Sequence, residues 1–68
     1  MYIIQEIQTN NGQSTLTPAV TYDNWFAAEG AYHQTLAAAA VSVVKVHTVV
    51  MFDEHGNLIK KECYEHGT

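Results

Sequence analysis

One stretch of this chain has helical periodicity, and it stands alone between two pairs of β-rich runs. That arrangement limits the fold more than any other feature. Asp23 is suited to cap a helix, and at 100° per residue Trp25, Ala28, Tyr32, Leu36 and Ala39 fall on one face. Residues 37–40 are four consecutive alanines, strong helix formers, and Val41, Ser42 and the β-branched run beyond them end the segment. Upstream, residues 2–8 read as a strand and Asn11-Gly12 as a hairpin turn that tolerates positive φ. Residues 14–21 read as the returning strand, and Pro18, lacking an N–H, assigns that strand to a sheet edge. Downstream, residues 43–52 form the strongest strand, Gly56 suits a left-handed turn position, and residues 58–64 complete a second hairpin. The predicted fold is α+β: ββαββ, a four-stranded antiparallel sheet with one helix packed on one face. Residues 1–64 form a single domain and residues 65–68 a polar C-terminal tail.

Two rows of side chains alternate along residues 43–52. Val44, Val46, Thr48, Val50 and Phe52 share one face, and Val43, Lys45, His47, Val49 and Met51 the other. The first row is the more apolar and is expected to form the core with Trp25, Tyr32 and Leu36. The second is then left on the open side of the sheet, where Lys45, His47, Val49 and Met51 are a candidate ligand site or second interface.

A chain of 68 residues buries a marginal core and usually needs a disulfide, a metal or a partner subunit. Cys63 is the only cysteine, and His33, His47, His55 and His66 show no metal-ligand spacing. Self-association is the staple left, and neither a metal nor another cofactor is expected. The net charge is −4 with three lysines, which argues against direct nucleic-acid binding. No membrane span is expected, because Glu29, His33 and Gln34 interrupt a helix that is short and weakly apolar. The opening residues do not read as a signal peptide, and one lone thiol fits a reducing cytoplasm.

The back of the helix is unusual. Ala27, Gly30, Ala31, Gln34 and Ala38 lie opposite the core stripe, where a solvent-facing helix normally carries Lys, Glu and Arg. Between residues 24 and 44 Glu29 is the only side-chain carboxylate or ammonium, and it lies nearer the apolar face. Small residues let helix backbones approach closely, so this surface is expected to pack against the same surface of another subunit, with Gln34 hydrogen-bonding across the axis.

Catalytic chemistry has little to stand on. Asp53 and Glu54 fall in a turn, Cys63 within the last strand, and His33 at the edge of the helix stripe. No phosphate-binding loop or nucleophile motif is present, and Tyr2, Tyr22, Trp25, Tyr32 and Tyr64 are first of all core. Lys45 and Lys60, with the aromatics, could hold one phosphate of a ligand.

Residues 1–9, the segment Tyr32-His33 to Ser42 and the hairpin Val46-His47-Thr48 to Leu58-Ile59-Lys60 resemble a family of small proteins encoded in phages and prophages of Gram-positive gut bacteria. The likeness spans nearly the whole chain. It departs at Asn24-Trp25-Phe26, where members carry charged residues after the helix cap. The resemblance implies a virus-encoded protein acting in the bacterial cytoplasm, and it carries over no activity and no catalytic residues. Two functions are expected in that context: a non-enzymatic oligomeric binding protein that sequesters a host defence signalling molecule or protein, or a virion structural or assembly accessory.

Overall fold

The computed structural model describes residues 1–66. Strands β1 (Tyr2–Asn10), β2 (Gln13–Leu16) and β3 (Val20–Tyr22) precede helix α1 (Trp25–Ala40), and β4 (Val46–Asp53) and β5 (Leu58–Glu65) follow it. The sheet is antiparallel throughout, in the order β2-β1-β4-β5, and β3 also pairs with β1. The α+β class and the single helix on one sheet face are as predicted, with five strands in place of four.

Pro18 accounts for the extra strand. Thr17 still pairs with Glu6: its N–H donates to the Glu6 carbonyl at 3.0 Å, and its hydroxyl accepts from the Glu6 N–H at 3.0 Å. Pro18 has no N–H with which to continue the ladder, so pairing stops and resumes at Val20 along the same edge of β1. The β1–β2 turn holds Asn11 at φ 55° and Gly12 at φ 77°, two successive left-handed residues whose twist matches the flanking strands. At the second hairpin Gly56 takes φ 83°, and Asp53 Oδ1 accepts from the N–H groups of His55 and Asn57.

The helix begins one residue later than the sequence suggests. Asn24, rather than Asp23, is the N-cap, its Oδ1 accepting from the N–H groups of Phe26 at 2.7 Å and Ala27 at 3.2 Å. Both residues are competent caps, and the turn out of β3 decides between them. Strand β4 starts at Val46, not at 43, because residues 41–45 carry the chain off the helix. There Val41 and Ser42 donate back to Ala38 and Ala39, and Lys45 N donates to Asn10 Oδ1. Glu65 belongs to β5 rather than to a frayed tail. His66 N donates to the Lys45 carbonyl, and His66 Nε2 donates at 3.0 Å to the Ala39 carbonyl, one of the last-turn acceptors a helix leaves unmet. The remainder of the expected tail, residues 67–68, lies outside the described residues.

The largest departure concerns the faces of β4. The helix stripe is as expected, with Ala28, Tyr32 and Ala39 buried and Trp25 and Leu36 packed at its margin. Beneath it lie Ile4, His47, Val49 and Met51, not Val44, Val46, Val50 and Phe52. The strand presents the row opposite to the one expected, because alternation fixes which residues share a face but not which face the helix covers. The register then places Tyr2, Ile4, Glu6 and Gln8 of β1 and Lys60, Glu62 and Tyr64 of β5 on the helix side. Ile3, Gln5, Ile7, Val46, Thr48, Val50, Phe52, Lys61, Cys63 and Glu65 fall on the other side, which the helix does not cover.

Met51 is therefore a core position and Phe26, at 83% exposure, is not. Met51→Ala is expected to cost about 2–5 kcal/mol. Phe26→Ala should stay within about 0.5 kcal/mol. Chemical denaturation of the two variants beside the parent checks the assignment, and similar losses for both would overturn it.

Candidate interaction surfaces

Two polar clusters lie between the helix and the sheet. In the first, Lys60 leans over Trp25 and Tyr32, its Nζ 5.5 Å and 5.8 Å from the ring centroids, and donates to Glu29 Oε1. The faces of aromatic rings attract cations, so the lysine stem and rings pack while the ammonium stays paired. His33, one turn after Glu29, contacts the same oxygen at 3.0 Å, and Glu29 Oε2 is buried without a partner. The hydrogen bond from Lys60 holds the Glu29 carboxyl below the usual carboxylate range; burial opposes the shift and His33 adds to it. Burial pushes the Tyr32 hydroxyl upward, with the charges of Glu62 and Glu29 contributing. Lys60 is thus engaged within the fold and is not free to hold a phosphate as the sequence suggested.

The second cluster is the pair of Glu6 and His47. His47 is only 4% exposed, and its Nε2–H donates to Glu6 Oε1 at 2.6 Å across the β1–β4 boundary. Its Nδ1 is buried with no partner. A carboxylate-oriented imidazole is half of a nucleophile–base system. Cys63, however, pairs opposite Thr48 and so lies on the other face of the sheet from His47. No pocket opens among the described residues, and no group of three His, Cys, Asp or Glu converges there to hold a metal ion. The pair does structural work: it lets a polar residue sit under the helix.

The four residues proposed from sequence as a ligand site or second interface therefore separate. Lys45 is exposed at the start of β4, whereas His47, Val49 and Met51 are core and present no surface. The five residues of the helix back separate less. Ala27, Gly30, Gln34 and Ala38 are exposed, but Ala31 is half-buried against the core. A Cβ added at Gly30 would meet nothing within 4 Å, so no close approach inside the chain requires that glycine. Phe26 near the start of the helix, and Val41 and Val43 just beyond its end, are also exposed large hydrophobic residues, Val43 at 95%. Among the described residues, no helix is long and apolar enough to cross a membrane.

The uncovered sheet face is the second surface. Ile3, Ile7, Val46, Val50 and Phe52 form its centre, half-buried only by one another and their neighbours, and exposed Leu16 and Leu58 lie at its margins. The helix thus covers the more polar side of the sheet and leaves the more apolar side open.

Two measurements test the clusters. Glu6→Ala leaves the His47 donor buried without an acceptor and is expected to cost about 1–3 kcal/mol. A variant as stable as the parent would remove the pair's structural role. The lowered pKa of Glu29 gives a stabilisation that is complete above the unfolded carboxylate value, about 4.3, and lost as pH falls through the lower folded value. Glu29→Gln should therefore flatten the acid limb of the stability–pH curve, while Asp53, held low by the Asn57 N–H, keeps part of it in place. An unchanged limb would contradict the assignment.

Compared with known proteins, the chain matches no protein-family model, no curated protein and no solved structure.

Proposed function

We propose that this chain is a non-enzymatic binding protein that works as an oligomer and sequesters a molecule of its host cell. The observation that carries the reading is a pair of surfaces on opposite sides of a very small fold, one apolar at its centre and the other without a carboxylate or ammonium. One is the open sheet face centred on Ile7, Val50 and Phe52, and the other is the outer helix face of Ala27, Gly30, Gln34 and Ala38 with Phe26. Surfaces facing only water are normally studded with charge, and a contiguous apolar face marks a contact with another molecule. Two such surfaces allow one to join subunits while the other meets a target. The phage-like character of the sequence supports a target among host defence signalling molecules or proteins and a place of action in the bacterial cytoplasm.

Native mass spectrometry of the protein purified from the bacterial cells that express it tests this reading. The expected mass is a multiple of the 7.6 kDa chain with a retained small molecule or protein. Ala38→Glu, at an exposed helix position clear of the core, should remove either the retained species or the oligomer while leaving the circular dichroism unchanged. Ala31 is unsuitable because a charge there would also enter the core. A bare monomer overturns the proposal. Stoichiometric copies in purified phage particles would replace it with a virion accessory role.

A further inference from the structure

We propose that the open sheet face is where two copies of this chain meet, stacked face to face about a two-fold axis that crosses the strands at the level of Ile7, Thr48 and Cys63. The proposal rests on the oligomeric reading above and says how the copies join.

The argument begins with the rows that register creates. Three of the four levels on this face lie within reach of such an axis: Thr9, Val46 and Glu65; then Ile7, Thr48 and Cys63; then Gln5, Val50 and Lys61; the fourth, Ile3, Phe52 and Leu58, falls beyond them. An axis through the middle level sets the first level of one copy over the third level of the other. On β4 that places Val46 over the partner copy's Val50, and on β1 Thr9 over Gln5. On β5 it places Lys61 over Glu65, twice, once at each end. A row running from ammonium through thiol to carboxylate is antisymmetric in charge, and a two-fold operation is what makes such a row complementary to itself. A surface built for an unrelated partner has no need of that antisymmetry.

Size and edges agree with this arrangement. Three strands about 4.8 Å apart and about eight residues long, with the shorter β2 beside them, present roughly 15 by 25 Å, so two stacked faces cover roughly 750 Å² together, the size of a weak contact. Pairing edge to edge is the competing mode, and both edges are blunted. The β5 edge carries Lys60, Lys61, Glu62 and Glu65, and the β2–β3 edge is short and broken at Pro18. Lys61 and Glu65 are exposed at the rim, where an ion pair adds little affinity but sets register, while the apolar centre supplies the attraction.

Sedimentation equilibrium on the parent and four variants tests the geometry. Lys61→Glu and Glu65→Lys should each weaken the parent's self-association by about tenfold or more, because like charges then face each other at both ends. The double reversal Lys61→Glu/Glu65→Lys should restore the parent's affinity. Circular dichroism checks that each variant is folded, and Val50→Lys, at the middle of the face and away from the helix, should dissociate the pair outright. An oligomeric parent that is indifferent to all of these changes overturns the face-to-face pairing and leaves the oligomeric reading standing. Dissociation by Val50→Lys without rescue by the double reversal overturns the two-fold geometry. A parent that is monomeric at micromolar concentration overturns both.

Discussion

The contact between Glu6 and His47 decides which way the sheet faces. Strand β4 offers two candidate core rows, and the one that packs under the helix contains a histidine. A buried imidazole without a partner would cost more than the small difference in apolar area between the rows. Glu6, on the adjacent strand and 41 residues away, supplies the acceptor. With that pair formed, Val49 and Met51 fill the space beneath Ala28, Tyr32 and Ala39, and Lys60 reaches the Trp25 and Tyr32 rings from β5. The opposite row is left to the outside, and the apolar surface of the molecule follows from that choice.

Local chemistry is legible in the residues themselves. Asn11-Gly12 and Gly56 adopt the left-handed geometry their composition suggests, and the helix buries the stripe that a 100° step places together. Pro18 does end pairing at an edge, although the chain resumes it two residues later. The orientation of β4 is not legible in this way. Val44, Val46, Val50 and Phe52 outscore His47, Val49 and Met51 in apolar character, and the compensating Glu6 is visible only once β1 and β4 are in register. The row of Lys61, Cys63 and Glu65 follows from alternation along one strand, but the side of the sheet it faces does not. The helix back lies where the periodicity puts it except for Ala31, which is near enough to the core stripe to be half-buried.

The helix also shows that identical residues can do different work. Within the run of residues 37–40, Ala39 is fully buried and lies under the contact from His66, whereas its three neighbours are exposed. Helix propensity explains why all four are tolerated. Close approach to the sheet explains Ala39 alone. Charge is concentrated along one margin of the helix, where Glu29 gathers Lys60 and His33, so the outer surface is left without a carboxylate or ammonium of its own.

Strand β1 lies at the centre of the sheet, flanked by β2 and β3 on one side and β4 on the other, and Tyr2 is paired with Asp53. Synthesis runs toward the C-terminus, so β1 is made before the β4 strand it pairs with. The first hairpin and the helix can form from local contacts, but the boundary that buries Ile4 and satisfies His47 closes only when most of the chain is present. Until then the Ile3–Ile7 row has neither the helix-side core behind it nor the β4 ladder beside it. Folding of this domain therefore waits for β4, and the interval before β4 emerges is when its apolar strands are most open to mispairing with another nascent copy.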